Sequence, residues 1–218
     1  RDPWYPNAEH RLAAVDAHYA QAEVHGSCRL IELTADAPED LYATEYFSTV
    51  LGHTTLPGVG SEFFERAVEF ANDRLAGSLG ATILVAPRDS RAMGAGFDEI
   101  LARLRYGGIG VNAWSAFAFV LYSAAWGAFP GNTLEAVGSG IGVVHNSYFL
   151  AGTERTVVRG PFRPFPRSML HGEKALLPKP PWFVTARSAT QTTRRMTAYA
   201  ARPGWGRLLA VLPAAFRA

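Results

Sequence analysis

The chain has 218 residues, 48% of them hydrophobic, which is enough to bury one sizeable core and slightly more than an average single domain needs. Its 21 Lys and Arg residues nearly balance 19 Asp and Glu residues, and a net charge of +2 does not indicate a nucleic-acid-binding protein. The single cysteine, Cys28, excludes an internal disulfide framework and a cysteine-based zinc cluster.

No apolar run is long enough to span a bilayer, and the first residues, RDPWYPN, lack the features of a secretory signal peptide. We therefore expect a soluble cytoplasmic protein without a membrane partner. Because residue 1 is Arg instead of Met, we also expect the chain to be part of a longer polypeptide.

The first predicted elements are one helix and two strands. Apolar residues recur at helical spacing over Asn7–Tyr19, after a Pro-rich lead-in that we expect to be exposed. The short apolar stretches Cys28–Leu33 and Tyr46–His53 predict strands.

The middle of the chain alternates between helix and strand. Ser61–Leu75 has one apolar face and predicts a helix, and the continuous apolar run Gly80–Ala86 predicts a strand covered on both sides. Helical spacing returns over Phe97–Tyr106 and stops at two glycines, before a further strand, IGVN. This order predicts an α/β fold with a mostly parallel sheet, right-handed crossovers and helices on both faces.

Composition changes after residue 150. The stretches RGPFRPFPRS and LPKPPWF are rich in Pro, Arg and aromatic residues, and a helix is predicted over Ser188–Ala201. We expect residues 1–150 to form the α/β domain and residues 151–218 to form a tail that docks on another subunit or on the rest of the polypeptide.

An acidic and aromatic pair, Glu45 and Phe47, lies in the sequence TEYFSTVLG. On an extended segment, residues i and i+2 point the same way, so the carboxylate could bind a ribose while the ring packs against a flat group. This pattern favours a nucleotide cofactor. For a glutamate considered alone, an exposed carboxylate at a strand edge is the commoner situation.

Two blocks follow this pair, ANDRLAGSLGATILV at 71–85 and LRYGGIGVNAW at 104–114. With them, residues 28–146 resemble the C-terminal part of the catalytic domain of the aldehyde dehydrogenase superfamily. The resemblance implies NAD or NADP as coenzyme, with Glu45 accepting hydrogen bonds from ribose hydroxyls and Phe47 flanking the nicotinamide ribose. It also implies oxidation of an aldehyde to a carboxylic acid in the intact protein. The chain departs from the family at residues 48–50, where Ser, Thr and Val replace Gly-Pro-Val.

The same resemblance places three residues near the aldehyde pocket. Asn112 either holds a turn at the end of a strand or faces the aldehyde. Trp114 and Phe117 fall in the segment that forms the aromatic wall of the pocket, although ordinary core packing is an equally good interpretation.

No catalytic residue is expected within this chain. The family's nucleophilic cysteine lies far upstream of the E-x-F glutamate and follows a Gly-Gln pair, whereas Cys28 lies 17 residues before Glu45 in a different context. We therefore expect Cys28 to be a buried structural thiol. The six histidines lack metal-ligand spacing, so we expect no metal site.

The sequence leaves two alternatives open. The family dimerises through a C-terminal arm, so the chain could be an assembly module of a homo-oligomer. It could also be a degenerate homologue that binds a ligand without chemistry. Arg and Phe interleave between residues 155 and 167, but we expect this segment to dock on protein and not on nucleic acid.

Overall fold

A computed structural model describes residues 4–35, 40–163, 165, 167–173 and 186–217. The helices are α1 (Ala8–His18), α2 (Gly60–Arg74), α3 (Pro87–Met93), α4 (Ala95–Leu101), α5 (Phe117–Val120), α6 (Arg167–Leu170), α7 (Ala189–Ala201) and α8 (Trp205–Ala215), with a 3-10 turn at Asp40–Tyr42. The strands are β1 (Glu23–His25), β2 (Cys28–Glu32), β3 (Val50–His53), β4 (Gly80–Ile83), β5 (Gly108–Val111), β6 (Ala125–Gly127), β7 (Val143–His145) and β8 (Thr156–Arg159).

The first sheet consists of β1, β2 and β3. Strand β1 runs antiparallel to β2, and β3 runs parallel to β2 on its other side. Helix α1 packs on this sheet because Val15 and the following Tyr19 are buried against Ile31 and Leu33. Burial of these four side chains forms the smaller of two cores in the described chain.

The second sheet has the order β4-β5-β8, and all three strands are parallel. Ile109 and Val111 of β5 point into the larger core, where the rings of Phe64 in α2 and Phe97 in α4 stack with centroids 5.0 Å apart. The remaining buried members of this core are Val68, Ile100, Leu101, Leu104 and Tyr106. One face of the sheet is therefore covered by helices.

On the opposite face of this sheet, later parts of the chain pack directly against the backbone of β5. A Cβ at Gly110 would collide with the carbonyl oxygen of Ala113, and one at Gly108 would press on the ring of Trp126. Glycine at these two positions lets the chain fold back directly over β5. Helix α5 then lies against β5 and β8, and β6 and β7 pair as a separate antiparallel ribbon.

The predicted mixed α/β class with mostly parallel pairing is confirmed, and so are α1, β2, α2, β5 and α7 to within a few residues. Other bounds were too long: the strand expected from Tyr46 begins only at Val50, and the strand expected to reach Ala86 ends at Ile83. Strand β8 lies after residue 150, so the segment that we expected to form a separate tail supplies a strand to the second sheet.

The expectation of a buried thiol at Cys28 was wrong, because this side chain is exposed. Cys28 is the first residue of β2 and pairs with His25 across the tight turn to β1, at the rim of the sheet and not in its interior. Within the described ranges, no helix has the length and apolar character needed to cross a membrane.

Candidate functional site

A groove of about 630 Å³ opens between the N-terminal residues and the segment that leads into β3. Both residues of the acidic and aromatic pair, Glu45 and Phe47, line it. Trp4 and Tyr5, far away in sequence, form another part of its wall. We call this the N-terminal groove.

The Glu45 carboxylate is exposed at the N-terminal groove. It lies in irregular backbone between the 3-10 turn and β3, and none of the described residues donates a hydrogen bond to it or pairs with it. A carboxylate with unused acceptor positions is able to receive hydrogen bonds from a ligand that carries hydroxyl groups. Glu45 therefore has the chemistry that a sugar-binding residue needs.

Phe47 presents its ring to the same groove and is 46% exposed. The ring of Tyr5 meets it edge to face with centroids 5.7 Å apart, and Trp4 stacks on Tyr5 at 4.8 Å. The guanidinium group of Arg11 lies 5.5 Å from the centre of the Phe47 ring. The groove thus has an aromatic wall with a positive charge beside it.

The backbone of Phe47 is unusual, because its φ angle of 44° lies in the left-handed region that bulky residues rarely adopt. Glu45 and Phe47 therefore do not sit on a regular strand, and the i, i+2 alternation expected for an extended segment does not apply to them. Both side chains reach the groove because the backbone turns at Phe47, and not because alternate residues of a strand point to the same side.

A second recess of about 350 Å³ lies at the carboxyl ends of the parallel strands β4, β5 and β8, and we call it the sheet-edge cleft. In parallel α/β sheets this edge is the usual place for a ligand. Asn112, Arg159 and Glu173 line it, and each already has partners. The Asn112 amide bonds Val85, and Arg159 pairs with Asp98.

Glu173 closes the sheet-edge cleft through contacts with the segment after β8. It accepts a hydrogen bond of 3.0 Å from the Arg163 guanidinium and further bonds from the backbone N–H groups of Phe162 and Arg163. Burial alone would raise the pKa of Glu173, but these hydrogen bonds outweigh it and lower the pKa. The polar groups of this cleft are thus engaged in holding the fold together.

The three residues expected at an aldehyde pocket do not line one common recess. Asn112 lines the sheet-edge cleft, whereas Trp114 and Phe117 line neither that cleft nor the N-terminal groove. Trp114 and Phe117 contact each other, with ring centroids 6.2 Å apart, in the segment that covers β5. The side-chain amide of Asn112 joins the ends of β4 and β5 through its two bonds to the backbone of Val85.

The sequence did not indicate that Trp4 and Tyr5 line the N-terminal groove, or that Arg11 lies over the Phe47 ring. The dense aromatic content of PWYP was the available signal, but nothing local connects it to a residue some forty positions later. No group of three His, Cys, Asp or Glu side chains suited to a metal ion occurs among the residues that the structure describes.

Comparisons with protein-family models, with curated proteins and with solved structures find no match to this chain. We therefore infer function from the chain's own residues and from the geometry of the N-terminal groove.

Proposed function

We propose that this chain is the C-terminal part of an aldehyde dehydrogenase-like oxidoreductase, which in the intact protein oxidises an aldehyde to a carboxylic acid with NAD or NADP. The observation that carries the proposal is the N-terminal groove, where an exposed carboxylate without a partner among the described residues lies beside an aromatic wall. The E-x-F spacing and the two sequence blocks that follow it support the same assignment. The mixed α/β architecture is compatible with it.

The residues of the groove fit one half of a dinucleotide. Glu45 is free to accept hydrogen bonds from ribose hydroxyls, and the half-exposed Phe47 ring offers a flat apolar surface to a nucleoside. The groove volume of about 630 Å³ is within the range of ordinary ligand sites. Arg11, over the Phe47 ring, adds a positive charge that suits an anionic coenzyme.

The lining of the N-terminal groove does not include a glycine-rich loop at the start of a helix, which is the usual binding site for a pyrophosphate group. We therefore assign only the nicotinamide riboside half of the coenzyme to this chain. When bound, the coenzyme supplies the hydride acceptor for the oxidation. Glu45 and Phe47 hold and orient its sugar, while the nucleophile and base come from elsewhere in the polypeptide.

Binding of nicotinamide riboside and of NAD, measured by saturation-transfer NMR, tests this assignment. Glu45→Gln removes the charge that strengthens bonds to hydroxyls, and we expect binding about tenfold weaker. Phe47→Ala removes the ring surface and should weaken both ligands. Glu99→Gln, on the exposed side of α4, makes the same chemical change outside the groove and should leave binding unchanged.

The assignment fails if neither compound binds saturably to the wild-type chain, or if Glu45→Gln and Glu99→Gln behave alike. Turnover of aldehydes by this chain with NAD, abolished by Cys28→Ala, would instead show that the exposed thiol is a nucleophile and would overturn our view of where the chemistry originates.

A second candidate function is assembly with another copy of this chain. Strand β7 pairs only with β6 in the described part of the chain, so its other edge offers free backbone groups. Its residues Val143 and Val144 are exposed, and Phe149 and Leu150 that follow are 89% and 57% exposed. An apolar strand edge of this kind favours pairing across a two-fold axis.

Analytical sedimentation of the wild type and of Val144→Lys, which measures the oligomeric state, tests whether two copies assemble through β7. We expect a dimer in the wild type and a monomer in the variant, because a lysine on an edge strand opposes pairing. Leu84→Lys, at a similarly exposed apolar residue outside the ribbon, serves as the control and should leave the dimer intact. A monomeric wild type rejects the assembly function.

A further inference from the structure

Charge is strongly segregated along this chain, although its total is nearly balanced. The last acidic residue is Glu173, so residues 174–218 carry eight of the 21 basic residues and none of the 19 acidic ones. The preceding residues are accordingly acidic overall. A strongly basic segment within a nearly neutral protein indicates an anionic partner for that segment.

Much of this basic segment folds as a helical pair. Helices α7 and α8 pack antiparallel, since the Ser188 hydroxyl donates to the carbonyl of Ala214 at 2.6 Å and Arg195 donates to the carbonyl of Ala210. Thr192 of α7 is buried. These contacts hold the first turns of α7 in a fixed position next to the end of α8.

A cleft of about 650 Å³ lies on this pair, and we call it the arginine cleft. Its lining residues are Arg187, Ser188, Thr190, Gln191, Arg194, Arg195 and Arg217. No carboxylate among the described residues pairs with any of the four arginines. Four guanidinium groups around one recess repel each other unless an anion lies between them.

We propose that the arginine cleft binds a phosphorylated ligand with at least two negative charges. The planar guanidinium fork matches the oxygen atoms of a phosphate and binds them in pairs. Thr190 adds a hydroxyl donor, and the first turn of the 13-residue helix α7 favours negative charge. The cleft shares no residue with the N-terminal groove and is independent of the function proposed for that groove.

The same phosphate chemistry occurs in soluble compounds and in lipid headgroups. Helix α8 has an exposed apolar face that could contact a lipid bilayer. Its residues recur at helical spacing and are Trp205, Leu209, Leu212 and Phe216. An apolar helix face close to basic side chains is the arrangement that adsorbs to an anionic bilayer. The experiment therefore needs one arm for each source.

In the first arm, pyrophosphate is titrated into the full chain by calorimetry at moderate salt. In the second, flotation is measured with phosphatidylcholine vesicles that either contain or lack phosphatidic acid, whose phosphomonoester can carry two negative charges. We expect saturable pyrophosphate binding, and binding about tenfold weaker in Arg187→Gln and in Arg194→Gln. Arg202→Gln lies outside the cleft but removes the same charge from the same tail, and it should bind as the wild type does.

Trp205→Ala separates the two sources. Loss of flotation in this variant with unchanged pyrophosphate binding identifies a lipid headgroup, whereas pyrophosphate binding without any flotation identifies a soluble phosphate compound. Circular dichroism checks that each variant keeps its helices. The proposal is overturned if neither probe binds, or if Arg202→Gln weakens binding as much as Arg187→Gln and Arg194→Gln do, since diffuse charge then explains the effect.

Discussion

The side chain of Asn112 bonds both backbone groups of Val85: its Oδ1 accepts from the N–H and its Nδ2 donates to the C=O, each at 2.9 Å. This pair of bonds continues the β4–β5 ladder past the last paired residues, Ile83 and Val111. Asn112 has a φ of 52°, a conformation that Asn adopts more easily than most residues. It locks the sheet edge on which the sheet-edge cleft lies.

Replacing Asn112 should therefore reduce stability. We expect Asn112→Ala to lower the free energy of unfolding by about 2–3 kcal/mol, because two hydrogen bonds are lost and Ala is strained at this φ. Asn112→Gly loses the same bonds without the strain and should cost about 1 kcal/mol less. Urea unfolding measures both. Equal stabilities of the two variants would contradict the backbone part of this argument.

A second prediction concerns the backbone of Phe47. Outside turns, Ala is normally more stabilising than Gly, because Gly loses more conformational freedom on folding. At a φ of 44° the order should reverse, and Phe47→Gly should be more stable than Phe47→Ala by about 1 kcal/mol. Both variants lose the same ring contacts with Tyr5 and Arg11, so their difference in urea midpoint isolates the backbone. A less stable Gly variant would show that this turn is not held in the left-handed region.

The larger core depends on Ile109, which is completely buried at the centre of the parallel sheet. We expect Ile109→Ala to lower the free energy of unfolding by about 2–5 kcal/mol, since it removes buried methyl groups and leaves a cavity. Leu84→Ala, at a residue that is 78% exposed, should cost less than about 0.5 kcal/mol. Thermal or urea unfolding of this pair checks whether β5 is the centre of the core. A larger loss at Leu84 would show that the sheet packs differently.

The ion pair between α1 and β2 predicts a pH dependence. Arg29 donates to both carboxylate oxygens of Asp16, at 2.6 and 2.8 Å, and these hydrogen bonds lower the pKa of Asp16 in the folded chain. The pair's contribution is therefore complete above the ordinary pKa of Asp, about 4, and is lost as the pH falls through the lowered value.

Asp16→Asn tests this dependence. The variant should be less stable than the wild type at pH 7, and the difference should shrink as the pH falls below about 4. Asp89→Asn is the control, because the exposed Asp89 carboxylate bonds no described side chain except the neighbouring Arg88, and it should show no comparable trend. A difference between Asp16→Asn and the wild type that stays constant from pH 7 to pH 2 would contradict the assigned cause.

Periodicity predicted those elements whose apolar pattern is local. Helix α2 repeats its buried Phe64 and Val68 four residues apart, and β5 is buried along its whole length. Helix α3 was missed because its sequence, PRDSRAM, has no buried residue and no apolar face. Strand β1 was missed for a similar reason, as all of its three residues are exposed and only pairing with β2 makes it a strand.

The candidate site was only partly predictable. Glu45 and Phe47 were found because they are neighbours with complementary chemistry, but the turn at Phe47 contradicts the propensity of the β-rich sequence around it. Tyr5 and Arg11 contact the Phe47 ring through long-range packing, which leaves no trace in local spacing. The arginine cleft was hidden by the small total charge, because the acidic first part of the chain cancels the basic end in the sum.

The position of β8 determines what happens when the chain is truncated or cleaved near residue 150. Strand β8 hydrogen-bonds along the whole of β5, from Gly108 to Val111, although it comes after the change in composition at residue 150. A truncated version ending at Leu150 would leave the central strand with bare amide and carbonyl groups, which is a template for aggregation. Conversely, cleavage near the exposed Gly152 would leave two fragments joined through a continuous ladder, so the nicked protein should remain associated until it is denatured.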